Sequence, residues 1–157
     1  ILMVFVIIIM NELKKKQNIE ISKNYNTAKI LIEKKNFNEA VVILENIINK
    51  NNKFYSPSAL NLIIDNNLIK DKTKILSYYD QIISKGKLEQ ETKNLFIFKK
   101  IIFIGDEIEE NELISSLKPI LKSDSLWKNT VLDYIKKYYR SRGEFNKAKE
   151  FETTIIK

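Results

Sequence analysis

The sequence of 157 residues has no cysteine and no histidine, and only three glycines and two prolines. Without cysteine there is no disulfide framework, no thiolate nucleophile and no cysteine-ligated zinc. Without histidine, Ser-His-Asp catalysis and histidine-based metal sites are excluded. Gly86, Gly105 and Gly143 stand too far apart for a phosphate-binding P-loop or a G-x-G-x-x-G turn. Catalysis by carboxylates or lysine stays formally open.

The formal charge of +7 and the isoelectric point near 9.4 invite a nucleic-acid or anionic-surface interpretation. Nearly all of the positive charge is lysine, and only Arg140 and Arg142 offer the planar fork that suits phosphate and guanine. The lysines are spread along the chain among 20 acidic residues, which is typical of solvated helix faces. Nucleic acid is therefore not the expected partner, although a basic domain binding nucleic acid or an anionic membrane surface stays the alternative.

The first ten residues are uninterrupted hydrophobics that stop at Asn11, shortly before Lys14–Lys16. Since a spanning helix needs roughly 20 apolar residues, we interpret residues 1–10 as the C-terminal part of a transmembrane anchor whose upstream part has been cut away. The core of a signal peptide and a buried soluble segment are the alternatives. Residues 11–21 are predicted to be a connector, and the lysine triplet by itself favours a cytoplasmic side for the segment that follows.

From residue 22 to residue 157, apolar side chains recur at three- and four-residue steps, which predicts an all-α fold. Breaks in this pattern separate about eight helices of about 11 to 17 residues. They fall at 35–36, 51–52, 66–67, 84–87, 105–106, 123–125 and 141–143. Short connections between so many helices indicate about four helix pairs.

An internal period supports the paired helices. Small or apolar residues in the second helix of each pair recur at steps of 35, 38 and 35 residues, at Ala40, Ile75, Leu113 and Ala148. Their partners twelve residues earlier are Ala28, Ile63, Ile101 and Lys136. This period is that of a tetratricopeptide repeat, and predicts a tetratricopeptide-like α-solenoid over residues 22–157.

The last and first repeats show the motif best. The last has a Y-x-x-x-G-x-F-x-x-A pattern, formed by Tyr139, Gly143, Phe145 and Ala148. The first has Leu31, Lys35, Phe37 and Ala40 at the same spacing. In the motif that these segments resemble, glycine closes the first helix and the aromatic residue packs between the two helices. Lys35 therefore replaces the expected glycine.

Three features of the sequence are candidate sites. Asp106, Glu107, Glu109, Glu110 and Glu112 are dense enough to suggest a hard-cation site, but their spacing is not that of an EF-hand loop. A position in the first turn of a helix, where the dipole stabilises acids, explains them without a metal.

The basic and aromatic stretch at residues 134–142 resembles a single-strand nucleic-acid site in composition. Its spacing favours an amphipathic helix, with Ile135 and Tyr139 on the apolar stripe. Trp127 could anchor a partner, although burial at the start of the seventh helix is the favoured interpretation. The sequence thus predicts no catalytic, cofactor-binding or metal-ligating residue, and it leaves the partner-binding residues unknown.

The sequence as a whole resembles the YfgM-like ancillary subunits of the SecYEG translocon. The features that carry this resemblance are the apolar start, the polar connector, the Ser22-x-x-Tyr25 entry, and the block at residues 117–128 that leads into Tyr139–Ala148. The resemblance implies a single-pass inner-membrane protein with its repeat domain in the periplasm. It also implies the Sec translocon and periplasmic chaperones as partners, with no cofactor. We therefore expect a non-catalytic, membrane-anchored adaptor for protein–protein interaction, and the alternative is a generic repeat scaffold on the cytoplasmic side.

Overall fold

The structure of the protein is a computed structural model that describes residues 2–153, with the side chains of residues 3–151. Ile1 of the predicted anchor and residues 154–157 of the predicted repeat domain lie outside the described residues. The described range forms eight α-helices and one 3-10 turn (Gly105–Glu107), and it has no strand. The helices are α1 (Leu2–Glu33), α2 (Phe37–Asn49), α3 (Tyr55–Asp65), α4 (Lys72–Lys85), α5 (Gln90–Ile104), α6 (Glu110–Leu121), α7 (Lys128–Ser141) and α8 (Phe145–Thr153). The prediction of an all-α fold is confirmed.

The chain divides into two compact units, the N-terminal unit (Ile1–Leu88) and the C-terminal unit (Glu89–Lys157). In the N-terminal unit α1 packs against α2 and α3, α2 against α3, and α3 against α4. In the C-terminal unit α5 packs against α6, α6 against α7, and α7 against α8. Each helix therefore covers its apolar stripe chiefly with its neighbours in sequence, as short connections require.

Helix boundaries repeat between the two units with a constant offset. Helices α2, α3 and α4 begin at residues 37, 55 and 72, and α6, α7 and α8 begin at residues 110, 128 and 145, so each start is displaced by 73 residues. This offset is the sum of the first two steps of the sequence period, 35 and 38. Within the described residues, the C-terminal unit thus repeats the helix pattern of the N-terminal unit in register.

Most positions that define the period are buried, namely Ala28, Ala40, Ile63, Ile75, Ile101, Leu113 and Ala148. Lys136 is half-buried. Phe37 and Phe145 were expected to pack between paired helices, and this expectation is wrong, since both are exposed. Each is the first residue of its helix, and a helical side chain leans towards the N-terminus, so these rings point beyond the packed part of the helix.

The N-terminal segment is one long helix. Helix α1 runs without a break through both predicted boundaries, at 10/11 and 21/22. No helix within residues 2–153 has both the length and the apolar content to cross a membrane. The apolar run ends at Met10, and a window of spanning length would include Glu12 and Lys14–Lys16. The expected location as a single-pass inner-membrane protein is therefore wrong.

Candidate functional site

Five lysines line one cleft of the N-terminal unit, which we call the basic cleft. Its volume is about 570 Å³, and its walls come from α1, the α2–α3 connection and the end of α4. The lysines are Lys14, Lys50, Lys53, Lys85 and Lys87. The other lining residues are Gln17, Asn18, Ile21, Asn51, Asn52 and Phe54. Among the described residues, no carboxylate lines this cleft, so its field attracts anions.

Hydrogen bonds fix the α2–α3 connection in place. The side chain of Asn52 donates to Asn18 Oδ1 on α1 at 2.8 Å. Its own Oδ1 accepts two backbone N–H groups at the start of α3, each at 3.0 Å. On the opposite side, Gln81 Nε2 of α4 donates to Asn51 Oδ1 at 3.1 Å. The side chains of Asn18, Asn51 and Asn52 are therefore hydrogen-bonded within the fold.

Proximity to a helix C-terminus explains three of the five lysines, among them Lys87, which lies two residues beyond the end of α4. Lys50 follows α2 and Lys85 ends α4, where a cation complements the helix dipole. Lys53 stands just before α3, where the same dipole disfavours a cation, and Lys14 lies inside α1. Lys14, Lys50, Lys85 and Lys87 form no salt bridge with any carboxylate in the part of the chain that the structure describes.

A second concavity, which we call the apolar groove, adjoins the basic cleft. It has a volume of about 1010 Å³ and runs along α1 to the start of α3. Three large apolar side chains line it and stay exposed, Ile19 (62%), Ile30 (50%) and Phe54 (65%). Lys14, Asn18 and Phe54 border both concavities, so cleft and groove form one continuous surface.

The corresponding place in the C-terminal unit holds a carboxylate. Displacement by 73 residues takes Asn18 to Glu91 and Asn52 to Ser125. Glu91 Oε2 accepts from Ser125 Oγ at 2.9 Å and from the N–H of Leu126 at 3.0 Å. Asn18–Asn52 and Glu91–Ser125 are each separated by 34 residues. The first helix of each unit therefore holds the connection between its second and third helices, through an amide in one unit and a carboxylate in the other.

The predicted acidic cluster lies where α6 begins. Asp106 and Glu107 belong to the 3-10 turn, Glu109 immediately precedes α6, and Glu110 and Glu112 occupy its first turn. This is the position at which a helix dipole stabilises acids. Among the described residues, no group of three acidic side chains is placed to hold a metal ion.

Glu110 connects α6 to α7 and α8. Lys147 Nζ lies 2.8 Å from Glu110 Oε2, and the hydroxyl of Tyr139 donates to Oε1 at 3.0 Å. These two hydrogen bonds, that of Lys147 first, hold the pKa of Glu110 below its usual range. Hydrogen bonds to Glu110 and Glu144 raise the pKa of Lys147 in turn. Glu110, Glu144 and Lys147 thus form a partly exposed charge network in the C-terminal unit.

The stretch at residues 134–142 forms the amphipathic surface that its spacing predicts. Its buried side chains, together with those of the preceding turn, are Val131, Leu132, Ile135, Tyr138 and Tyr139. Lys137 is exposed, and Lys136 forms a 2.6 Å salt bridge with Asp133. The Arg142 guanidinium lies 4.0 Å from the ring centroid of Tyr138 and donates to the Asp106 carbonyl at 3.0 Å.

Trp127 immediately precedes α7 and is half-buried against the apolar core of the C-terminal unit. Phe98 and Ile108 belong to the same core. The ring therefore takes part in packing, and this agrees with the favoured interpretation from the sequence.

The positive charge is distributed unevenly. Residues 1–88 hold 14 lysines, no arginine and 8 acidic residues, a formal charge of +6, whereas residues 89–157 hold 13 basic and 12 acidic residues, a charge of +1. The sequence pattern points to the basic stretch at residues 134–142 and does not reveal the basic cleft. The contrast between the two halves was the available signal, since a charge asymmetry points to the half that attracts anions.

No protein-family model matches the chain, and neither curated proteins nor solved structures gave a match. The resemblance to YfgM-like translocon subunits therefore stays a prediction that no comparison supports.

Proposed function

We propose that the protein is a non-catalytic adaptor that binds a segment of another protein in the apolar groove. The apolar groove is the observation behind this proposal, because Ile19, Ile30 and Phe54 expose large apolar surfaces in one concavity. Contiguous apolar surface rimmed by polar groups is typical of protein-binding sites. A groove along one helix suits an amphipathic helical segment, which presents side chains at three- and four-residue intervals.

We further propose that the scaffold is built from tetratricopeptide-like helix pairs. Support comes from the sequence steps of 35, 38 and 35 residues, from the burial of seven of the eight positions that define them, and from the helix starts displaced by 73 residues. A helix pair cannot cover its own apolar face, so pairs stack and leave surfaces on which partners bind.

The proposal describes the partner only as an amphipathic protein segment and does not name a protein. The membrane-anchored arrangement implied by the family resemblance is not retained, because no helix in residues 2–153 could span a membrane. The first half of α1 adds a second exposed apolar surface that includes Met3, Phe5 and Ile7. Its side chains are exposed, whereas the apolar groove is a concavity that polar residues border. The apolar groove is therefore the surface on which the proposal rests.

A photo-crosslinking amino acid at Ile30 tests this function in the full-length chain in its native cell. Ile102 is the matched control, because the two isoleucines are exposed to 50% and 49% and Ile102 lies outside the apolar groove. We expect one defined protein, identified by mass spectrometry, to be crosslinked at Ile30 and not at Ile102. With that protein purified, Ile30→Glu should weaken binding by about tenfold or more and Ile102→Glu by less than about threefold. Equal crosslinking at both positions, or equal loss by both variants, would contradict the proposal.

A further inference from the structure

The basic cleft shares part of its lining with the apolar groove and has more lysines, five against the three of the groove (Lys14, Lys15 and Lys23). Five ammonium groups share a volume of about 570 Å³, and no carboxylate among the described residues lines it. Like charges around one cleft repel one another, and a bound anion relieves that repulsion. Lys14 and Phe54 border both concavities, so a ligand in the apolar groove reaches the basic cleft without leaving the surface.

The C-terminal unit shows what the basic cleft lacks. There Glu91 on the first helix supplies a carboxylate that accepts hydrogen bonds from Ser125 Oγ and the N–H of Leu126. In the N-terminal unit the same place on the first helix holds Asn18, which is neutral, while Lys50 and Lys53 flank the corresponding connection. The C-terminal unit thus has the carboxylate of Glu91 at this place, whereas the N-terminal unit has the uncharged amide of Asn18 with lysines around it.

We infer, on the basis of the proposed function, that the partner segment is acidic as well as amphipathic. Its carboxylate side chains enter the basic cleft beside Asn18, and its apolar side chains lie against Ile19, Ile30 and Phe54. The cleft then recognises charge and fixes the direction of the segment, and the groove contributes apolar contact area. Recognition of this kind increases the rate of association and selects among amphipathic partners of similar hydrophobicity.

The lining favours an acidic protein segment over nucleic acid. The N-terminal unit has no arginine, so the forked guanidinium that pairs with phosphate and guanine is absent from the cleft. The amide of Asn52, which could read a base edge, is hydrogen-bonded within the fold. The continuation of the cleft is lined by the aliphatic side chains of Ile19 and Ile30, which suit leucine-like side chains better than bases.

Asn18→Glu tests the inference within the molecule. A glutamate at this position would reproduce Glu91 and place a carboxylate of the chain itself in the basic cleft. We expect this variant to melt at a higher temperature than the parent and to bind an acidic peptide at least about tenfold more weakly. Asn18→Gln is the control, since it has the same length without the charge and should leave peptide binding within about threefold. Unchanged peptide binding by Asn18→Glu would overturn the inference.

The probe is a fluorescent amphipathic peptide of about 16 residues, with glutamates in its first turn and leucines along one face. Its affinity for the purified full chain is measured by fluorescence anisotropy, beside matched peptides that carry Gln for Glu or Ala for Leu. We expect the Glu peptide to bind at least about tenfold more tightly than the Gln peptide at low salt, and this difference should shrink as salt screens the charges.

Two triple variants locate the charge effect. Lys50→Gln/Lys85→Gln/Lys87→Gln removes three cleft lysines and should abolish the preference for Glu over Gln. Lys29→Gln/Lys34→Gln/Lys70→Gln removes the same charge from exposed positions outside the cleft and should keep the preference. Equal loss in both triple variants would show a general charge effect and overturn the inference.

The remaining outcomes separate this inference from the proposed function. If the Glu and Gln peptides bind equally and both need Ile30, the acidic-segment inference fails while the groove adaptor stands. If a single-stranded oligonucleotide displaces the Glu peptide and binds more tightly, the basic cleft is a nucleic-acid site and the inference is wrong. If the Glu peptide does not bind at all, the inference also fails, and crosslinking at Ile30 decides the proposed function by itself.

Discussion

Lys35 and Gly143 close α1 and α7 with the same left-handed turn, with φ angles of 60° and 75°. In both turns the following N–H donates to a carbonyl five residues earlier, that of Leu31 at 2.8 Å and that of Tyr139 at 2.9 Å. The sequence motif placed these two residues at equivalent positions, and the backbone agrees. A lysine in this region has a Cβ that crowds its own backbone, whereas a glycine has none.

Lys35→Gly should therefore stabilise the N-terminal unit by about 1 kcal/mol, because it removes the cost of a left-handed non-glycine residue. Urea unfolding followed by far-UV circular dichroism measures the change. Lys29→Gly, an exposed position inside α1, is the control and should destabilise by about 1 kcal/mol. A Lys35→Gly variant no more stable than the parent would show that the turn is not strained.

Asn94→Asp should destabilise the C-terminal unit by about 2–4 kcal/mol near neutral pH. Asn94 is 2% exposed, and its Nδ2 donates to Ser125 Oγ at 3.1 Å and lies 3.4 Å from Glu91 Oε1. An aspartate here loses the donor and places a second carboxylate beside Glu91. Burial and this neighbour should raise the pKa of the new carboxyl above its unfolded-state value. The destabilisation by its charge is therefore complete above the raised pKa of the folded state, shrinks as the pH falls towards the unfolded-state pKa, and is absent below that value.

Melting temperatures of Asn94→Asp and the parent, compared near pH 7 and near pH 4, measure this effect. The melting temperature of Asn94→Asp should lie closer to that of the parent near pH 4 than near pH 7. Asn94→Ala also loses the hydrogen bonds but adds no charge, so its deficit should change little between the two conditions. A deficit for Asn94→Asp that is as large in acid as at neutral pH would argue against carboxylate repulsion.

The helices were predictable because the residues that end them are recognisable in the local sequence. The seven predicted breaks lie at or beside the observed connections, where Asn51, Asn67 and Gly143 adopt positive φ. The continuity of α1 is not evident from polarity, because polar residues occur in connectors and in exposed helices alike. Residues 11–21 contain neither glycine nor proline and include Leu13, three lysines and two glutamates, all good helix formers.

The candidate site was not predictable from any single stretch. The lysines of the basic cleft come from α1, the α2–α3 connection and the end of α4, so their proximity exists only after the helices pack. The relation between Asn18 and Glu91 also needed the structure, because the two residues differ in charge and their shared role is visible only in their hydrogen bonds. A short stretch of sequence shows neither which distant residues pack together nor which side chains hydrogen-bond to one another.

The carboxyl of Glu110 should titrate below the ordinary glutamate value of 4.5, because Lys147 and then Tyr139 donate hydrogen bonds to it. A lowered pKa means that this contact stabilises the fold above the unfolded-state pKa and is lost as the pH falls through the folded value. Carbon-detected NMR of the side-chain carboxyls measures the titration directly. In Lys147→Met the pKa of Glu110 should rise towards 4.5, whereas Lys149→Met, at an exposed position two residues away, should leave it low. An unchanged Glu110 titration in Lys147→Met would refute the assignment.

Alkaline pH should unfold the protein only well above the ordinary tyrosine range. Burial, with Asp65 as a second cause, raises the pKa of Tyr79 to about 12, and burial and the hydrogen bond to Glu110 do the same for Tyr139. Tyrosine in an unfolded chain ionises near pH 10, so the stability from these protonated hydroxyls is complete below that pH and disappears as the pH rises through about 12. Ultraviolet absorbance titration should show a late group of tyrosines in the native protein and one transition near pH 10 in denaturant. Tyr79→Phe should remove part of the late transition. A native titration that ends near pH 10 would contradict the burial of both hydroxyls.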